Sequence, residues 1–242
     1  MKIILNAGHG AGKEHNRGGL YFNEGDNNFY YSLELKKELE TYEGVKVDLV
    51  RKNINDNPTL AQRSAMGEGY DLYLSIHSNA AGPTVRGTEV WDSVEKPNRV
   101  LAKAICDSTA ELFNHRNRGV KYREGSQPGF NYYGELRFNQ AKSAMIVENG
   151  FHTNAEDCLF FKNNHKQLAV VQARAIASLY GLKKKAVKED KPHWAEEHYN
   201  NLAKKGIKLT DKRYDDNITR AEAMALVDKA TDRIIKIIKE DK

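Results

Sequence analysis

A chain of 242 residues can bury a substantial core, and 40% hydrophobic against 29% charged residues excludes disorder, collagen and a disulfide scaffold. The formal net charge of +5 favours anionic partners only weakly and does not choose between wall polymers and nucleic acid. No stretch reaches the roughly 18 apolar residues of a membrane span, so membrane insertion is not expected.

Met1 to Asn6 runs straight into glycines rather than a signal-peptide core, which predicts synthesis in the cytoplasm without a visible export address. Cys106 and Cys158 sit in separate apolar-patterned segments without a CxxC spacing. They read as buried free thiols, with a disulfide left open.

In chain order, Lys2 to Ala7 is a buried strand carrying Ile3, Ile4 and Leu5, and it ends at Gly8-His9-Gly10. A Gly- and Asn-rich loop follows. Asp26 or Asn27 then offers an N-cap to a helix whose face is Tyr31, Leu35, Leu39 and Tyr42, closed by Gly44. Glu24 falls just ahead of it. Val45 to Val50 alternates as a second strand, and Asp71 to Ile76 forms a third that ends at His77. Gly87 to Trp91 is a further strand and residues 98 to 114 a helix. Ser143 to Val147 is an apolar strand ended by Glu148, and residues 165 to 180 close the unit with a helix stopped by Gly181. Strands interleaved with helices imply an α/β layered sheet, with functional groups beyond the strand ends.

Composition changes at Lys183. Residues 183–192 read as a linker, and residues 193–242 as a small helical module. Its two amphipathic helices lie around Trp194 to Lys205 and from Thr219 onward, where Thr219 to Glu222 is a capping-box pattern. About fifty residues bury little core, so this module is expected to need the first domain, a second copy or a ligand.

Four separated residues carry chemistry: His9, Glu24, His77 and Glu148, each at a strand end or beside a helix start. Two imidazoles and a carboxylate can hold a zinc ion with one position open, and a second carboxylate can act on water there, which points to metal-assisted hydrolysis. Taken singly, each histidine reads as a hydrogen-bonded strand-end residue and Glu24 as a solvated loop acid. Sequence spacing leaves both readings open.

Several strings occur together in a recognisable order: Gly8-His9-Gly10; Asn23-Glu24 before a helix; Leu60 with Arg63; Leu74-Ser75-Ile76-His77-Ser78-Asn79-Ala80; Gly87-Thr88-Glu89; and Val147-Glu148-Asn149-Gly150-Phe151-His152-Thr153-Asn154. Over about residues 1 to 182 the chain resembles the zinc-dependent N-acetylmuramoyl-L-alanine amidases (amidase type 3, endolysin-like) of bacterial and phage wall lysis. The resemblance implies zinc ligands at His9, Glu24 and His77, a catalytic acid-base at Glu148, and a twisted, mainly parallel or mixed sheet flanked by helices. The implied substrate is peptidoglycan, cut at the amide joining N-acetylmuramic acid to L-alanine in an endolysin or autolysin role, after release of the protein to the wall.

Arg63 is the basic residue best matched to a substrate carboxylate, and it reads equally as a helix-surface arginine. His152 reads as solvent-facing. Asn6 departs from the acid often found two positions before the Gly-His pair and is expected to remove a partner orienting His9. Asn149 departs from a usual apolar residue or cysteine and leaves the pocket wall there unspecified.

His193-Trp194-Ala195, Leu202 to Ile207 and Asp215 to Ala223 look like a single surface-layer-homology motif. That similarity implies attachment to secondary cell-wall polysaccharide, with Trp194 and Arg220 as candidate contacts, and leaves self-association open. A catalytically inactive wall-glycan binder is the alternative reading, and nucleic acid is not an expected partner.

Overall fold

Ile3, Ile4 and Leu5 stand in a row because strand β1 (Lys2–Ala7) is covered on both sides, so neither face needs polar residues. The computed structural model describes residues 1–11, 18–186, 200–202, 204–206 and 220–240. These residues fall into two compact units, Met1–Lys185 and Ala186–Lys242.

In the first unit six strands form one sheet in the order β2-β1-β3-β6-β4-β5, with β2 Lys46–Leu49, β3 Leu72–Asn79, β4 Thr88–Asp92, β5 Asn117–Lys121 and β6 Ala144–Phe151. Strands β2, β1, β3 and β6 run parallel, and β4 joins β6 antiparallel while pairing with β5 in parallel. The sheet is therefore mixed, as the family resemblance implied.

The two faces differ in depth. On one, Ile3, Leu5, Leu72, Leu74, Ile76 and Val147 pack against helices α1 (Glu24–Leu39), α3 (Arg99–Phe113) and α6 (His165–Leu179) to make the larger core. On the other, Ile4, Tyr73, Ala144 and Ile146 make a smaller core with Leu136 of α4 (Gly134–Arg137), and α2 (Leu60–Ala65) lies against α4. Beyond Tyr73 along β3 the smaller face turns polar, with Ser75 and then His77 at alternate positions.

Several boundaries differ from the sequence reading. Helix α1 begins at Glu24 with Asn23 as N-cap, so the acid expected ahead of the helix is its first residue, where the helix dipole favours negative charge. Strand β3 continues past His77, and β6 past Glu148, so both residues lie inside strands in register with one another. Pairing of β3 with β6 shifts between His77 and Asn79, a local irregularity of the kind that re-aims side chains. Helix α5 (Ala155–Asn163), capped by Asn154, and α2, capped by a Thr59/Gln62 box, are additions. Both cysteines are buried free thiols.

Lys183 to Lys185, read as the start of a linker, are held against the end of α1. Lys183 accepts from the Glu43 amide at 2.9 Å and Lys185 N donates to Thr41 O at 2.8 Å. In the second unit α7 (Arg220–Glu240) is an amphipathic helix. Trp194 and residues 187–192 lie outside the described residues, as does most of the helix expected around Trp194 to Lys205. The same holds for the side chain of Arg220.

Candidate active site

His9 leaves β1 with φ 61°, a left-handed conformation that a non-glycine residue holds only when its surroundings fix it. Two buried arginines do so. Arg63 Nη2 donates to His9 O at 2.6 Å and Arg51 Nη1 reaches the same oxygen at 3.4 Å. Arg63 also donates to Pro58 O, Ala7 O and Asn6 Oδ1, at 2.9, 2.9 and 3.0 Å. Its side chain is buried beneath the strand end, and the cleft is lined by other residues. The guanidinium expected to clamp a substrate carboxylate is instead engaged with these acceptors, His9 O among them. Arg51, which the sequence did not single out, shares His9 O with it and also holds Gly25 O at the start of α1.

His9, Glu24 and His77 converge from three elements, with one ligand atom of each lying within 4.8 Å of the others. His9 Nε2 is 3.3 Å from Glu24 Oε2, His77 Nδ1 is 3.3 Å from Glu24 Oε1, and the two imidazoles meet edge-on with centroids 5.0 Å apart. Gly8 permits the approach, since a β-carbon there would lie 2.2 Å from His77 Cε1. Glu24 is 1% exposed and accepts the Ser78 amide at 2.9 Å through Oε1, while its Oε2 is buried with no hydrogen-bond partner among the described residues. Burial pushes the Glu24 carboxyl up, but His77, His9 and the Ser78 amide outweigh it and hold the group below its ordinary range. For His77 burial disfavours the cation, yet Glu135, Glu24 and Glu148 raise its pKa well above the usual value.

Glu148 sits beside His77 on β6 and opposite Glu89 on β4, in the same cleft of about 510 Å³ as the three converging residues. Burial, followed by the charges of Glu24, Glu89 and Glu135, pushes its carboxyl up to about 8 against the opposing pull of His77. Its Oε2 is buried, with no hydrogen-bond partner among the described residues. The cleft has Leu60, Tyr133 and Ile146 among its apolar walls.

His152 also lines this cleft, and the expectation that it faces solvent is corrected. It is 3% exposed, its Nδ1 lies 3.0 Å from both Ser78 Oγ and Ser78 O, and 3.7 Å from Glu24 Oε2. The turn after β6 folds it inward, with His152 N donating to Asn79 O at 2.9 Å. Asn149 points instead to the larger core, where Gln172 Nε2 donates to its Oδ1 at 2.7 Å, so it does not shape the pocket wall. Asn6 contacts Arg63, Ser75 and Glu135 rather than the His9 ring.

Glu135, 7% exposed, is the residue the sequence did not signal at all. It approaches His77 Nε2 at 3.1 Å from the side opposite Glu24. Elsewhere, Thr88 Oγ1, His115 and Asp157 line up as hydroxyl, imidazole and carboxylate at 2.7 and 2.9 Å. Thr88 is 0% exposed, so this row serves structure, not nucleophilic attack.

Residues 3–178 match the family described as N-acetylmuramoyl-L-alanine amidase. The chain is 27% identical over 191 residues to the N-acetylmuramoyl-L-alanine amidase CwlM of Bacillus licheniformis, covering 77% of this chain and 71% of that protein. Cwp6 from Clostridium difficile superposes with a TM-score of 0.66 at 24% identity, over 73% of this chain but only 29% of Cwp6. An N-acetylmuramoyl-L-alanine amidase from Clostridium difficile 630 gives a TM-score of 0.64 at 21% identity, over 74% of this chain and 96% of that one. At such identities the superpositions establish the fold.

Proposed function

The chain belongs to the N-acetylmuramoyl-L-alanine amidase family, and on that premise we propose that it hydrolyses the amide between N-acetylmuramic acid and L-alanine in peptidoglycan, as a zinc enzyme with Glu148 as acid-base. The observation that carries this reading is the convergence of His9, Glu24 and His77 with Glu148 in one cleft.

The donor set suits zinc. Two imidazoles and a carboxylate are its usual oxygen and nitrogen ligands, and Glu24 Oε2 is a buried atom with no hydrogen-bond partner among the described residues, facing His9 Nε2 at 3.3 Å. When bound, zinc supplies Lewis acidity toward the scissile carbonyl and the attacking water.

The rest falls to the chain's own residues. A carboxyl near neutrality can both accept and return a proton, which is what Glu148 must do: take one from the attacking water and deliver it to the departing amine, since an unprotonated amine leaves poorly. A cation held beside Glu148 would bring its value down and favour the basic form at the start of the cycle.

Residues 193–242 are proposed to tether the enzyme to secondary cell-wall polysaccharide, on the support of the surface-layer-homology-like strings alone. Action at the wall, as an endolysin or an autolysin, follows from the substrate.

Mass spectrometry of products from purified peptidoglycan tests the reaction. Stem peptides with a new free N-terminal L-alanine are expected. New reducing sugars, cleaved cross-links, or no products from zinc-loaded protein would overturn it.

A further inference from the structure

Each side of the His77 ring meets a carboxylate. Nδ1 faces Glu24 Oε1 at 3.3 Å, within the cluster that can hold a metal, and Nε2 faces Glu135 Oε2 at 3.1 Å. Glu135 is ringed by groups that hold a hydrogen toward it: Ser75 Oγ donates to Oε2 and Asn6 Nδ2 to Oε1, the latter at 3.1 Å. In the neutral ring that a metal ligand requires, a proton on Nε2 is the one Glu135 can accept, and the Nδ1 lone pair is then turned to Glu24 and His9.

Glu135 is also held firmly. Ser64 Oγ of α2 donates to its carbonyl at 3.2 Å, and Gly134 packs so close to Leu60 that a β-carbon would lie 2.6 Å from that side chain.

Asn6 completes the arrangement. Its Oδ1 accepts from Arg63 Nη1 at 3.0 Å, which fixes the amide so that Nδ2 points to Glu135. A neutral amide thus bridges a buried cation and a buried anion, one end accepting and the other donating. An aspartate at this position would set two carboxylate oxygens against each other at about the present 3.1 Å.

We propose that Glu135 is a positioning residue for the metal centre, holding His77 with Nδ1 toward the metal, and that it supplies from α4 the negative charge that Asn6 lacks. This rests on the metal-site reading given above. Asn6 and Glu135 then form a matched pair, in which either residue is tolerated only with its present partner.

The test is the zinc dissociation constant of the full chain, measured by competition with a chromogenic chelator. Glu135→Gln is expected to weaken zinc by about 10- to 100-fold, the usual effect of removing a carboxylate behind a histidine ligand. Asn6→Asp should weaken zinc in the native background and strengthen it in the Glu135→Gln background, a reversal of sign that general loosening of the fold does not produce. If Glu135→Gln does not fold, Glu135→Asp, which keeps the charge but draws it back by one methylene, should weaken zinc in the same assay. A native chain that binds zinc while the Glu135 variant binds it within twofold as tightly overturns this proposal alone. Additive Asn6 and Glu135 effects overturn the pairing. A native chain that binds no zinc overturns the metal reading, and this proposal with it.

Discussion

Gly8 is the residue on which the site's geometry turns. Its missing side chain leaves room for the His77 ring, and a methyl group at 2.2 Å from Cε1 would force that ring away from Glu24. Gly8→Ala is therefore expected to abolish stoichiometric zinc binding and lower turnover by about 10²-fold or more while the chain stays folded; metal analysis beside circular dichroism checks this. Glu148→Gln should behave differently, keeping zinc but losing about 10²-fold or more in kcat, as an acid-base residue does. Retention of turnover would end the role given to Glu148.

For Arg63 the burial of its guanidinium decides the outcome. Arg63→Ala strands several carbonyls and is expected to cost about 3 kcal/mol in a urea titration. A rise in KM at unchanged stability would restore the substrate-clamp reading. The sequence made His9, Glu24, His77 and Glu148 legible because each sits in a short string of distinctive neighbours. Glu135, the hold of Arg51 on His9 and the inward turn of His152 were not legible, because these partners lie far away in sequence, 58 residues for Glu135 with His77, 42 for Arg51 with His9 and 74 for His152 with Ser78.

At the scale of elements, Asp157 ties α5 to the sheet and to the end of α3. Its carboxylate accepts the Gly87 and Phe151 amides at 3.0 and 3.1 Å and contacts His115 Nδ1 at 2.9 Å and Arg86 Nε at 3.0 Å. Burial alone would raise its pKa, but His115, the Gly87 amide and Arg86 hold it down at about 2, below the ordinary 3.8. The depressed value means that the unfolded chain takes up this proton first. The stabilisation is present above pH 4 and is lost as pH falls toward 2, a contribution of about 2 kcal/mol. Asp157→Asn should be less stable at neutral pH, and its stability should fall less steeply between pH 4 and 2; equal slopes in urea titrations at a series of pH values would refute the assignment.

Helices α1, α3 and α6 were readable because each shows one long apolar stripe to the same core. Strand β5, Asn-Arg-Gly-Val-Lys, was not: it pairs on one side only, so its sequence carries polar residues and a glycine where a central strand would alternate. Helix α4, four residues long, has no period to read.

At the scale of the molecule, the division between units sets where the tail can be removed. The first unit ends at Lys185, not at the composition change near Lys183, because Lys185 N and Nζ hold Thr41 O and Glu40 O at 2.8 and 2.6 Å and Lys184 Nζ pairs with Glu38 at 3.0 Å. A chain cut at Leu182 would lose these ties to the end of α1, whereas one ending at Ala186 keeps them. The family match closes at residue 178, and all the residues gathered around the cleft precede the boundary. Residues 1–186 should therefore hydrolyse soluble muramoyl-peptide fragments at the full-chain rate. If the tail is the tether, the same truncation should lower the amount of protein sedimenting with intact walls, and moderate salt should not reproduce the loss, since screening alone does not remove a specific glycan site. Sedimentation unchanged by truncation would place wall attachment in the first unit. Loss of soluble-fragment hydrolysis would instead mean that the tail supports the catalytic fold, the other role open to so small a module.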